Sequence, residues 1–157
     1  MHRSNGKMTK NYAHISKYFY PVFFLALVFL FSCNKEQEQG EGIIPNVYVN
    51  FTIYPNTIDY IAPGGYKYYN DQGYRGIIVY QDVQNVFHAY ERTCPYDPDK
   101  DCARVEVNES GVIAVDSCCM SQYLLLDGSP FSGPSTLPLK RYYTQYNGDA
   151  LTIINTP

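Results

Sequence analysis

The chain has 157 residues, a net formal charge of −3 and average apolar content, enough for one ordinary domain with a leader and too little for two. Its 17 tyrosines exceed the count of any charged residue type and tryptophan is absent, a composition that suits strands with one wet face better than helices built from Ala, Leu, Glu and Lys. All 15 acidic residues lie beyond Cys33 with only eight basic ones, which leaves −7 there, argues against a phosphate-binding face for nucleic acid, and reads as solubility.

From Met1 to Lys17 the chain is basic and polar, and Tyr18 to Phe31 then forms an apolar run that stops at Ser32-Cys33. The run is shorter than the ~20 residues that span a bilayer, and its charge order is that of a signal peptide. Leu30-Phe31-Ser32-Cys33 resembles the bacterial lipobox, in which the cysteine is lipidated and becomes the mature N-terminus. Gln37 to Gly42 is polar, without an aromatic residue, and reads as a disordered tether. An acid-rich tether after a lipidated cysteine also resembles the surface-export signal of lipoproteins in the Bacteroidetes. The expected organisation is a signal peptide over 1–32, a lipidated tether over 33–43 and a β domain over 44–157. The expected location is the cell envelope, anchored to a lipid membrane through Cys33, with the outer membrane favoured.

Beginning near Ile43, short apolar and β-branched runs alternate with Gly, Pro, Asn and Asp, the pattern of an all-β domain. Val47 to Ile53 alternates Val47, Val49, Phe51 and Ile53 against Tyr48, Asn50 and Thr52. Further strands are expected at Thr57 to Ile61, Tyr66 to Tyr69, Gly76 to Tyr80 (fully buried) and Val86 to Thr93, with a turn at Pro63-Gly64-Gly65. Ala103 to Asn108 and Val112 to Val115 read as a hairpin about Glu109-Ser110-Gly111, with Val105 and Val107 inward. That hairpin returns the chain towards Cys94, so two cysteine loops should meet at one end of it. Tyr123 to Leu126, Arg141 to Tyr146 and Leu151 to Ile154 close the sheet, with turns at Asp127-Gly128-Ser129-Pro130, at Gly133-Pro134-Ser135 and tightly at Asn147-Gly148. No stretch keeps a 3.6-residue apolar period long enough for a helix.

Cys94-Pro95-Tyr96, the hairpin, Ser117-Cys118-Cys119-Met120-Ser121-Gln122-Tyr123, Asp127-Gly128, Gly133-Pro134 and Pro138-Leu139 together resemble the Rieske iron–sulfur domain over about the last 70 residues. The resemblance implies a small antiparallel β domain with two cysteine loops at one tip. In that family the loops read Cys-Pro-His and Cys-Pro-x-His-Gly-Ser-x-Phe, and their Cys and His residues bind a [2Fe–2S] cluster. Cys94 matches the first cysteine, but Tyr96 occupies the first histidine position, Asp116 the second cysteine position and Cys119 the second histidine position. A normal Rieske cluster is therefore not expected, and the domain reads as a degenerate member.

In respiratory-chain members of the family an extra cysteine in each loop forms a disulfide between the loops, and Cys102 and Cys118 sit near those positions. Cys94 and Cys119 would then face each other across the cluster site. Sequence allows three pairings, of which Cys94–Cys119 with Cys102–Cys118 ranks first, because a vicinal Cys118–Cys119 bond demands strained geometry. Disulfides also suit a protein outside the cytoplasm. The preferred reading is thus two disulfides, no metal and no cofactor, in a module with a binding or structural role and an unknown protein partner.

The alternatives are a non-Rieske [2Fe–2S] cluster or zinc held by Cys94, Cys102, Cys118 and Cys119, with Asp116 as an additional ligand. In the cluster case the chain is an electron carrier and not a substrate-converting enzyme. Thiol exchange is a further option, but no Cys-x-x-Cys or helix N-terminus is evident to activate a thiol. His88 is expected to face a sheet, not to ligate a metal. Tyr66, Tyr68, Tyr69, Tyr142, Tyr143 and Tyr146 are expected to pack across strands and not to line a ligand surface. No Ser-His-Asp set, paired carboxylates or phosphate loop is present, so catalytic residues are not assigned.

Overall fold

A computed structural model describes residues 44–155, and the signal peptide, Cys33 and the whole of the tether expected from the sequence lie outside that span. The described residues form ten strands and no helix. These are β1 (Asn50–Ile53), β2 (Tyr66–Tyr69), β3 (Ile77–Gln81), β4 (Phe87–Glu91), β5 (Val105–Val107), β6 (Ile113–Asp116), β7 (Gln122–Leu124), β8 (Pro130–Ser132), β9 (Arg141–Tyr146) and β10 (Leu151–Ile154). They make two antiparallel sheets, one in the order β1-β10-β9-β4-β3-β2 and one in the order β5-β6-β7-β8. The smaller sheet is an insertion in sequence between β4 and β9, which pair directly through Ala89 with Tyr142 and Tyr90 with Arg141.

The six-stranded sheet curls on itself. β1 and β2 are its opposite edges, yet the rings of Phe51 and Tyr69 are 5.2 Å apart. Alternation along β3 explains why all five of its residues are buried: Ile77 and Val79 join one apolar cluster with Ile53, Leu151 and Ile153, while Ile78 and Tyr80 join a second with Val105, Tyr123 and Leu125. β4 divides in the same way, Phe87 and Ala89 on one face and Tyr90 on the other. Each fully buried aliphatic side chain stabilises the fold by about 1.5–3 kcal/mol of transfer free energy, so the two central strands anchor both clusters.

The structure departs from the sequence expectation in three places. Thr57 to Ile61 is a run of turns, not a strand. Ile58 and Tyr60 are 81% and 65% exposed, which leaves only Ile61 to bury, and Asp59 bonds back to the Tyr54 amide at 3.2 Å. Pro130, expected in a turn, begins β8, an edge strand where a missing N–H is tolerated; the pairing with β7 carries a register shift at Gln122 and Tyr123. Finally, the strands near Tyr123 do not close a single sheet: β7 belongs to the smaller one. The alternation of Val47 to Ile53, the burial of β3, the bounds of β9 and β10, and the loop after Tyr146 agree with the sequence reading. In that last loop the Asn147 carboxamide accepts from the Asp149 and Ala150 amides at 3.1 and 2.8 Å, and Gly148 takes φ +101°.

Candidate functional site

Two loops meet at one end of the β5–β6 hairpin, residues 94–103 after β4 and residues 117–121 after β6. The first begins at a fixed point. Glu91 is fully buried, and its carboxylate accepts from the Tyr74 amide (2.8 Å), the Arg75 amide (2.9 Å), the Thr93 amide (3.2 Å), the Thr93 hydroxyl (2.9 Å) and the Tyr142 hydroxyl (2.8 Å). A buried carboxylate needs this many donors to offset its lost hydration. Arg75 then reaches over the loop, donating to the carbonyls of Asp101 at 2.8 Å and Pro98 at 3.1 Å. Thr93 and Arg104 form an isolated β-bridge, and the Cys94 amide donates to the Ala103 carbonyl at 3.1 Å, which closes the loop at its base.

Arg92 secures the hairpin beside it. Its guanidinium is buried, donates to the Val105 carbonyl at 3.1 Å and Asn70 at 2.6 Å, pairs with exposed Glu106 at 3.3 Å, and lies 3.9 Å from the Tyr68 ring centroid. Burial first, and neighbouring Arg104 second, lower its pKa.

The second loop is shorter and tied to itself. Asp116 ends β6 fully buried; its Oδ1 accepts from the Cys118 amide at 2.7 Å, and its carbonyl accepts from the Met120 amide at 2.7 Å. Met120 takes φ +64°, unusual for a side chain of its size. The Gly133-Pro134-Ser135 segment packs against this loop, with the Ser135 amide donating to Ser121 Oγ at 3.1 Å. Only glycine fits at Gly133, because a Cβ there would lie 2.6 Å from the Ser121 Cα at a φ of +93°.

Four cysteines thus converge in two pairs. Cys102 and Cys118 are bonded, across a sequence separation of 16. Cys94 and Cys119 are unbonded thiols, where a second bridge was expected, with sulfurs 3.6 Å apart. Cys94 is fully buried, 3.2 Å from the Tyr123 hydroxyl, while Cys119 donates to Asp116 Oδ2 at 3.2 Å and lies 3.1 Å from Ser121 Oγ. Burial, and then the Asp116 carboxylate, push the Cys94 thiol up to about 12. The Tyr123 phenol is likewise raised, by burial first and by Cys94 second.

Sulfur and oxygen atoms of Cys94, Asp116 and Cys119 all lie within 4.8 Å of one another. The remaining ligands considered from sequence, Cys102 and Cys118, are committed to each other. Tyr96, which the sequence resemblance sets at a cluster-histidine position, is 48% exposed. A [2Fe–2S] centre needs four donors divided between two irons, and in a Rieske centre two of them are imidazoles. Three donors gathered about one point, with no histidine among them, do not fit that group.

His88 faces the interior on β4, between the rings of Tyr80 and Tyr90, with Nδ1 2.9 Å from Arg141 Nη2. Burial and then Arg141 lower its pKa. The tyrosines considered as a ligand surface are distributed through the packing: Tyr142 on Glu91, Tyr68 accepting from the Val107 amide at 2.7 Å, Tyr66 against Tyr68, Tyr69 against Phe51, and Tyr146 against Phe87, with Tyr143 half-exposed. Sequence reasoning missed Glu91. Its only signal there is an acid closing an otherwise apolar strand, Phe87-His88-Ala89-Tyr90-Glu91.

No protein-family model matches the chain, and no curated protein matches it. Among solved structures it is similar to a chain in the complex of reduced oxygenase and oxidized ferredoxin in carbazole 1,9a-dioxygenase, at 19% identity over 68% of this chain and 93% of that one, with a TM-score of 0.49. The ferredoxin of carbazole 1,9a-dioxygenase from Nocardioides aromaticivorans IC177 is 14% identical over 71% of this chain and all of that one, with a TM-score of 0.48. A putative NADH-dependent nitrite reductase small subunit from Mycobacterium tuberculosis is 16% identical over 71% and 99%, with a TM-score of 0.41. The topology of the described residues is all-β, a small antiparallel sheet carrying two cysteine loops at one tip and inserted in sequence into a larger sheet.

Proposed function

We propose that this protein is a lipid-anchored envelope lipoprotein whose Rieske-like domain works without a [2Fe–2S] cluster, as a binding or structural module. The observation that carries the cluster-free reading is the donor set at the tip: Cys94, Asp116 and Cys119 about one point, with Cys102 and Cys118 removed by their bond. The buried hub at Glu91 and the clamp from Arg75 also speak for a tip built to hold one shape. Anchorage rests on the leader, on the lipobox-like Leu30-Phe31-Ser32-Cys33 and on the polar tether that follows.

Two measurements test the two halves. Metabolic labelling with a fatty-acid analogue should mark the wild-type chain in the membrane fraction, and Cys33→Ala should abolish the label; an unlabelled wild type would remove the anchor. Protein purified without oxygen should be colourless and free of iron and inorganic sulfide. Brown protein with both would return the chain to electron transfer.

A further inference from the structure

We infer that Cys94, Cys119 and Asp116 form a binding site for a single zinc-class divalent ion. It rests on the reading of the tip as cluster-free, and it assigns a ligand to the place where that reading leaves only thiols.

The distances are those of one coordination sphere. Thiolates held at about 2.3 Å by a tetrahedral zinc ion stand about 3.8 Å apart. The Cys94 and Cys119 sulfurs are 3.6 Å apart, and Asp116 Oδ2 is 3.2 Å from the Cys119 sulfur. Two thiolates and a carboxylate suit zinc, and three protein donors leave a fourth position for water.

The surroundings are those of a supported site. Asp116 Oδ1 is held by the Cys118 amide, which turns Oδ2 towards the sulfurs. Ser121 Oγ, held by the Ser135 amide, stands 3.1 Å from the Cys119 sulfur, and the Tyr123 hydroxyl stands 3.2 Å from the Cys94 sulfur. Each sulfur therefore has one hydroxyl beside it, where outer-shell partners of metal ligands commonly stand. Among the described residues no lysine or arginine hydrogen-bonds to any of the three donors. A divalent cation supplies the missing positive charge. The ligands come from both loops, so the ion would join them at the interior as the Cys102–Cys118 bond joins them outside.

The test is titration of the reduced, metal-free mature chain with cobalt(II) under argon, followed by zinc. The expected result is tetrahedral cobalt bands with a thiolate-to-cobalt charge-transfer band saturating at one equivalent, then displaced by one equivalent of zinc. Cys94→Ser and Cys119→Ser should remove the charge-transfer band, and Asp116→Asn should weaken zinc binding by more than about 100-fold, since even an outer-shell change costs about 10- to 100-fold. The double variant Cys102→Ser/Cys118→Ser should keep the band. Wild-type protein that shows no such band, or bands that vanish only in the Cys102/Cys118 variant, would overturn the site. So would a Cys94–Cys119 disulfide recovered from metal-free protein under thiol-blocking conditions, which leaves the cluster-free reading standing. Iron with inorganic sulfide would end both.

Discussion

The six-stranded sheet is held by apolar side chains on both faces of its central strands, whereas the tip carried by the smaller sheet is held by a buried carboxylate, sulfur atoms and hydroxyls. The first kind of contact is non-directional and tolerates change in proportion to the area lost. Polar contacts in a dry interior are directional and costly when one partner is missing. Stability is therefore concentrated in the sheet, and chemistry in a tip whose geometry depends on a few named atoms. The anchorage of the two loops differs in the same sense: the first is tied through Glu91 and Arg75 to the larger sheet and its turns, the second to itself, to the Ser135 amide and, through the Cys102–Cys118 bond, to the first loop.

The largest expected effect lies in the sheet. Ile77→Ala removes a fully buried side chain from β3 and should cost about 2–5 kcal/mol, read as a lower urea midpoint. A cost under 1 kcal/mol would mean that the cluster around Ile77 does not govern stability. Next, Cys102→Ser/Cys118→Ser should cost about 3 kcal/mol in the chain-entropy model, measured in the same assay without reductant. If reductant lowers the wild-type midpoint by a similar amount and leaves the double variant unchanged, the bond acts as assigned.

Glu91→Gln separates the two regions, because it preserves shape while removing the carboxylate's charge and reversing the hydrogen-bond polarity of one of its two oxygens. One of the two carboxylate oxygens becomes an NH2 facing donors, either the Tyr74 amide and Tyr142 hydroxyl or the Arg75 and Thr93 groups, at a cost of about 2 kcal/mol. Amide hydrogen exchange should quicken at Arg75, Thr93 and Cys94 while β3 stays protected. Uniform loss of protection would place Glu91 in the global fold and not at the loop base.

The smallest effect is pH-dependent. Burial and Arg141 hold the folded His88 pKa below its ordinary value of about 6.5, against weaker opposing influence from Asp82 and Asp127. The unfolded chain therefore takes up the proton first as pH falls. Stability should be complete above about pH 6.5 and decline below it, towards the folded pKa. His88→Gln should flatten the urea midpoint between pH 7.5 and 5.5, and an unchanged slope would assign the dependence to other groups.

What the sequence made legible follows the same division. Val47 to Ile53 shows its two faces by strict alternation, and β9 and β10 are marked by the Asn147-Gly148 turn, so these elements follow from neighbours in the chain. β8 offers three partly exposed residues led by a proline and carries no alternating signal. That two sheets form in place of one depends on β4 meeting β9 across the whole inserted sheet, a pairing no local pattern reports. The opposition of the cysteine loops was legible from the hairpin between them. The burial of Asp116 against the thiols was not, because a carboxylate ending a strand looks solvent-facing until the residues that cover it are in place. Glu91 was hidden for the same reason: its donors come from Tyr74, Arg75, Thr93 and Tyr142, in three separate segments.

Iron, inorganic sulfide and visible absorbance, measured on one sample of the mature protein purified anaerobically, decide whether the tip works without a [2Fe–2S] cluster. Colourless protein with neither iron nor sulfide in stoichiometric amount is the expected result. Two irons and two sulfides per chain with a charge-transfer spectrum would contradict it.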